Sequence, residues 1–359
     1  MSSGCSQMID GAAALQSLLK SAAPATVCAV DTEADSLHRY KESLCLIQFA
    51  VGDDAVLIDP LALSDLRPLA DYLQERTVWM HGADYDMTML RREFGCIPTR
   101  VFDTQIGARL LGLRQFGLAN LVEHYFGVAL SKSSQKADWG KRPLSEKMVE
   151  YALNDVRYLL PMAVMIENQL TAAGRMDWFL ESCEAARAKV LERDEDKDDP
   201  WRVQGSGRLD RRGLHFLKVL WEWRDEEAKR WDRPSFMVAT NRQLLEWASD
   251  LAASARVDWP AHFRPDRRRR LSLCLEQAHK TGVDDYPEKA RGKRLRRDKD
   301  FDRRVDALIA NRNKVAEDLG LEGSVIAPRA ALEAIAGGDE GHEALLMNWQ
   351  RQVLGIDAA

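Results

Sequence analysis

The chain has 359 residues, a formal net charge of -5, 45% hydrophobic and 30% charged side chains. That length holds roughly two or three domains of about 100–200 residues each, and the balance excludes a uniformly basic surface. No basic segment leads into a long apolar core at the N-terminus, and the apolar stretch near Tyr158–Ile166 is short and contains Pro161, so no membrane association and a cytoplasmic location are expected. The six cysteines, Cys5, Cys28, Cys45, Cys96, Cys183 and Cys274, form no C-x-x-C pair, which disfavours a structural zinc site and suits a reducing compartment.

In chain order, Val27–Val30, Leu44–Ala50 and Ala55–Ile58 read as strands, with a turn at Gly52–Asp54. Their close spacing predicts antiparallel neighbours. A helix over 64–76 and a strand at Val78–Met80 follow, and Asp84 is placed to cap a helix ending near Phe94. From Asp103 onward the periodicity is helical, over 104–112, 117–126, 145–170 and 174–192. Strands first, helices later and alternation between them predict an α/β domain with a mixed sheet flanked by helices. The run Arg-Asp-Glu-Asp-Lys-Asp-Asp-Pro at 193–200 reads as a linker.

The remainder is expected to be all-helical and internally repeated. Arg224, Ala228, Trp231, Val238, Leu244, Trp247 and Ala248 recur as Arg312, Ala316, Leu319, Ile326, Leu332, Ile335 and Ala336, every pair offset by 88 residues. Duplication of a small helical domain accounts for the gapless match. A basic stretch, Arg267–Arg270 then Lys289, Arg291, Lys293, Arg294, Arg296 and Arg297, lies between the copies. The expected division is 1–193 catalytic, 194–205 charged linker, 206–284 first helical domain, 285–297 basic linker and 298–359 second helical domain.

Five residues carry the chemistry. Asp31 and Glu33 stand two apart at a strand end, so their carboxylates share a face. Asp86 sits at a helix start, beside Asp84 as an alternative. Tyr151 and Asp155 lie four apart on one helical face. Each piece alone has a bland explanation, such as a polar strand end for Asp31 and Glu33 or a helix N-terminus for Asp86. Together they would suit Mg²⁺, which prefers oxygen ligands shared with phosphates. Two such ions can activate water and stabilise a leaving alkoxide. His81 needs no catalytic role. Gln48, Tyr40, Lys132, Lys136 and Arg142 could contact substrate, a sheet hydrogen bond being equally open for Gln48.

The ordered set resembles the DEDDy 3′–5′ exonucleases, most closely the bacterial ribonuclease D family. It comprises Val30-Asp31-Thr32-Glu33 with Leu46-Ile47-Gln48, His81 to Asp86 with Asp103-Thr104-Gln105, and Tyr151 to Leu159, preceded by Lys132-Ser133, Asp138-Trp139 and Arg142-Pro143-Leu144. The resemblance implies a ribonuclease H-like fold, metal ligands at Asp31, Glu33, Asp86 and Asp155, and a water-positioning Tyr151. It favours Asp86 over Asp84. The repeats resemble HRDC domains, which such enzymes are expected to carry in tandem. The implied activity is two-metal (Mg²⁺ or Mn²⁺) trimming of RNA with an accessible 3′ end, such as tRNA precursors, releasing nucleoside 5′-monophosphates. A monomer without a nucleotide cofactor is expected, since no G-x-x-x-x-G-K-[ST] loop is present. A DNA 3′–5′ exonuclease and a non-catalytic RNA-binding protein are the alternatives.

Overall fold

The computed structural model describes residues 8–131, 133–193, 199–289, 298–338 and 345–356. Cys5, Lys132, residues 194–198 of the charged linker and the basic residues Arg291, Lys293, Arg294, Arg296 and Arg297 lie outside the described residues. The chain divides into two units. One takes residues up to 34, 44–193 and 295 onward; the other takes 35–43 and 194–294.

In chain order the first unit begins with β1 (Met8–Ile9), α1 (Ala12–Ala22), β2 (Val27–Ala34), β3 (Leu44–Val51), β4 (Asp54–Ile58), α2 (Arg67–Gln74), β5 (Thr77–Met80), α3 (Asp84–Phe94) and β6 (Arg100–Asp103). It continues with α4 (Thr104–Leu110), α5 (Leu118–Phe126), α6 (Glu146–Arg157), α7 (Leu159–Ala172) and α8 (Met176–Glu192). The strands form one mixed sheet in the order β1-β4-β3-β2-β5-β6. β2 and β4 run antiparallel to β3, as their spacing predicted, while β5 and β6 join in parallel.

Alternation along the strands splits the core into two layers. Cys28, Val30, Ile47, Phe49, Ile58, Val78 and Met80 pack with Leu15, Leu69, Leu73 and Leu90 from α1, α2 and α3. On the other face Ala29, Ala50 and Trp79 meet Val156, Leu159, Ile166 and Phe179 from α6, α7 and α8. Phe179 is fully buried, stacked on Trp79 at 5.6 Å and edge-on to Phe102 at 5.2 Å.

Three expectations change. β2 runs on to Ala34, so Asp31 and Glu33 lie within a strand rather than past its end. The helix expected over 145–170 is two helices meeting at Tyr158, because Pro161 has no N–H to donate to Arg157 and its ring crowds that carbonyl. Ala83, not Asp84, is the N-cap of α3. The short β1 and β6, and the alanine-rich α1, escaped the sequence reading.

The second unit contains α9 (Arg211–Trp231), α10 (Ser235–Val238), α11 (Asn241–Ala252) and α12 (Pro265–Ala278). Its own core gathers Trp201, Phe216, Leu220, Trp223, Leu244, Trp247 and Phe263. The chain then returns to the first unit with α13 (Phe301–Leu319), α14 (Gly323–Ile326), α15 (Arg329–Gly337) and α16 (Asn348–Leu354).

The 88-residue offset recurs in the backbone. α10 shifts onto α14, and the left-handed cap Asp232 shifts onto Gly320. Arg224 donates to the Ala239 carbonyl at 3.2 Å, and Arg312 to the Ala327 carbonyl at 3.2 Å. The second copy shares its core with the sheet-bearing part of its unit. Ile326, Leu332 and Trp349 join the same cluster as Phe179. Trp349 stacks on Trp178 at 4.9 Å, and the Glu181 carboxylate accepts the Asn348 and Trp349 amides at 2.6 and 3.1 Å. Arg175 donates to the carbonyls of Leu110 and Leu319 at 2.7 and 2.6 Å. A Cβ on Gly112 would collide with the Gly320 carbonyl, so the approach there requires glycine.

Candidate active site

The site forms where β2 outruns its parallel neighbour. β5 pairs only with Val27–Ala29, so Asp31 and Glu33 project beyond the end of β5, where ligand sites of open α/β sheets gather. β5 then turns through His81–Ala83 into α3. Gly82 makes that turn at φ +68°, in the left-handed region. Asp103 holds the turn by accepting the amides of Gly82 and Ala83, both at 2.9 Å, while capping α4 through the Gln105 amide at 2.7 Å.

Thr32, between the two acids, faces the opposite layer. Its amide and hydroxyl both donate to the same oxygen of Asp86, at 3.0 and 2.5 Å. β2 thus contributes two carboxylates to one face and anchors a third from the other. The fourth comes from α6, which packs across the sheet and carries Tyr151 and Asp155. The Tyr151 hydroxyl hydrogen-bonds the Asp155 carboxylate.

Asp31, Glu33, Tyr151 and Asp155 line a cavity of 380 Å³ with His81, Asn120 and Gln135. Leu118 and Ala119, at the start of α5, face it too. Asp86 does not line the cavity but lies behind it, 6% exposed. Asp84 stays outside, exposed and paired with Arg193 at 2.7 Å. His81 meets the Thr104 hydroxyl at 2.9 Å, and burial lowers its pKa.

Burial without a counter-charge sets the electrostatics. Burial first, then the charges of Asp86, Asp155 and Glu33, pushes the Asp31 carboxyl well above its usual range. Burial, then the charges of Asp155 and Asp86, pushes Glu33 up to about 9. Burial raises Asp155 to about 7, against the Tyr151 hydrogen bond, and Asp86 to about 6, against the two Thr32 bonds. Tyr151 is raised by burial and by the negative charges of Asp155 and Glu33, so its hydroxyl keeps its proton. Among the described residues no three His, Cys, Asp or Glu side chains are gathered tightly enough to hold a metal ion as they stand. The donor chemistry nevertheless suits a hard cation: four carboxylates from three segments, mutually repelling, with no thiol and no cationic partner among those acting on them.

Residues 6–171 match the family model of the 3′–5′ exonuclease, and 214–255 match the HRDC domain. A ribonuclease D from Xanthomonas oryzae is 31% identical over 346 residues, covering 94% of this chain and 93% of that protein. Ribonuclease D from Escherichia coli K12 is 35% identical over 254 residues, 69% of this chain and 67% of its own. The chain belongs to the ribonuclease D family. The solved structure of Escherichia coli RNase D, described as an exoribonuclease involved in structured RNA processing, aligns with TM-score 0.74 and 27% identity over 97% of this chain and 96% of its own.

Membership of the ribonuclease D family makes this chain a 3′–5′ exoribonuclease and implies dependence on a divalent metal. Among the described residues no helix is long and apolar enough to cross a membrane. Several of the candidate substrate contacts have defined places in the structure. Arg142 is committed to structure, forking onto Asp59 at 2.6 and 2.8 Å and donating to the Cys45 carbonyl at 2.6 Å. Tyr40 belongs to the second unit, where its hydroxyl donates to Asp225 at 2.7 Å. Gln48 is fully buried opposite Asp31, with no partner for its amide among the described residues. The sequence reading gave no role to Thr32 or Asp103, although both stood within the quoted motifs. Their hydrogen bonds to another segment are what make them matter.

Proposed function

We propose that this ribonuclease D homologue trims the 3′ ends of structured RNA, tRNA precursors among them, and releases nucleoside 5′-monophosphates. Asp31, Glu33, Asp86 and Asp155 would hold two divalent ions, Mg²⁺ or Mn²⁺. The convergence of four carboxylates without a counter-charge, Asp86 buried and Asp31, Glu33 and Asp155 half-buried, carries this reading. When bound, such ions lower the pKa of water and offset charge on the phosphate and the leaving oxygen.

The chain's own groups supply the positioning. Tyr151 keeps its proton, so its hydroxyl orients the attacking water instead of removing a proton from it. Thr32 fixes Asp86, and Asp103 fixes the turn that presents α3. Gly117, Leu118 and Ala119, at the start of α5, line the same cavity as the carboxylates, and a helix N-terminus suits a substrate phosphate. The domain reading is 1–193 exonuclease, 206–284 and 298–359 HRDC-like, with linkers between them. The repeated Arg-to-carbonyl bond and the matched α10 and α14 support the second copy. The working form is a cytoplasmic monomer that needs no nucleotide cofactor.

A time course on 5′-labelled RNA, with and without Mg²⁺ or Mn²⁺, tests activity, direction and metal need together. Stepwise shortening from the 3′ end only with metal is expected. A matched DNA strand degraded equally well would remove the RNA preference.

A further inference from the structure

The second unit contains an unassigned cavity of 420 Å³ between the C-terminal end of α9 and the start of α12. Five of its eight lining residues, His262, Arg264, Asp266, Arg267 and Arg270, lie outside the segment matched to the HRDC domain. Three features set it apart. Its wall carries four arginines, Arg230, Arg264, Arg267 and Arg270, against two carboxylates, Glu227 and Asp266. Arg230 and Arg264 are exposed and make no ion pair among the described residues.

Trp231 is 48% exposed, whereas Trp201, Trp223 and Trp247 of the same unit are buried in its core. A large indole left open beside a polar cavity is costly unless something covers it. Arg267 covers part of it, with its guanidinium 5.1 Å from the ring centroid. Glu227, only 3% exposed, is the fixed post of the wall. It accepts from Arg267 at 3.2 Å and from Arg270 at 2.8 Å. Guanidinium groups held this way lose little freedom when an anion arrives. The volume suits one nucleotide, since small-molecule sites run from about 300 to 1,000 Å³.

We propose that this cavity binds one unpaired nucleotide of an RNA strand, its base against Trp231 and its phosphate among Arg230, Arg264 and Arg270. Aromatic stacking accepts any base, and the arginines add charge without reading sequence. The site therefore captures single-stranded RNA without base preference. This inference rests on the RNA-substrate reading above.

The test uses the full chain in EDTA, so that no cleavage occurs, and fluorescence anisotropy of a short 5′-labelled oligoadenylate. A matched abasic strand has the same phosphates without bases. Trp231→Ala should weaken oligoadenylate binding about 10-fold or more and leave the abasic strand unchanged, while Trp231→Tyr should restore most of the loss. The Arg230→Ala/Arg264→Ala double variant should weaken both strands and flatten the salt dependence by roughly one unit of slope. Unfolding curves of each variant check that the unit still folds.

If wild-type protein binds no oligoadenylate, the substrate reading fails together with the site. If it binds and Trp231→Ala binds equally well, the site alone is wrong. Binding of an acidic peptide that Trp231→Ala abolishes, with RNA binding intact, would assign the cavity to a protein partner and overturn the proposal.

Discussion

Two regions bury acidic side chains and treat them in opposite ways. In the second unit Glu227 is buried but receives Arg267 and Arg270, and its carboxyl stays below the usual range although burial pushes against that. At the end of the sheet Asp86 is buried, Asp31, Glu33 and Asp155 are half-buried beside it and feel its charge, and all four carboxyls are raised. A buried charge costs several kcal/mol unless it is compensated. The first arrangement carries its compensation within the fold, as a structural group does. The second leaves the cost standing, as a site that awaits a cation does.

The sharpest way to break this contrast is to remove one member of the uncompensated set. Asp31→Ala or Asp155→Ala should lower mononucleotide release at saturating RNA about 10³-fold or more, roughly 4 kcal/mol of barrier; turnover close to wild type would dissolve the distinction. Tyr151→Phe removes only a hydroxyl. It should cost about 10²-fold in turnover while RNA affinity and thermal stability stay put, and an unchanged rate would reduce Tyr151 to a packing residue.

Glu227→Gln should give the reverse signature. Turnover on a short RNA persists, but the unfolding midpoint falls by an amount corresponding to roughly 1–3 kcal/mol, because two arginines lose their partner. The smallest effect has the opposite sign. Folded-state values above those of an unfolded chain mean that the acid cluster favours folding at low pH, and that this contribution is lost as pH rises through about 6 to 9. Asp155→Asn should therefore raise the midpoint of the metal-free protein at pH 8, by roughly 2–4 °C for each kcal/mol of relieved repulsion. The gain should shrink at pH 6, and a fall at pH 8 would show that Asp155 is not repelled.

The legible parts of the molecule were those encoded locally. Leu44–Ala50 and Ala55–Ile58 announced strands through apolar runs, and Tyr151 and Asp155 shared a face because four residues make about one turn. The repeat was legible because its positions are spaced identically. What was not legible depended on partners distant in sequence. Nothing around Thr32 shows that it grips Asp86, 54 residues away. Arg142 looked available for substrate until Asp59, 83 residues earlier, claimed it. The break at Tyr158 has a local cause in Pro161, set within an apolar periodicity that by itself predicts one helix over 145–170.

The contact between α8 and α16 also bears on the order of synthesis. Glu181 and Ser182 receive Trp349 from a segment made 168 and 167 residues later. Until that segment leaves the ribosome, Trp178 lacks its stacking partner and the cluster around Phe179 lacks Ile326, Leu332 and Trp349. A nascent chain holding all four carboxylates therefore still lacks part of the core beside them. A chain ending ahead of α16 leaves the apolar flank that Trp349 covers open to solvent.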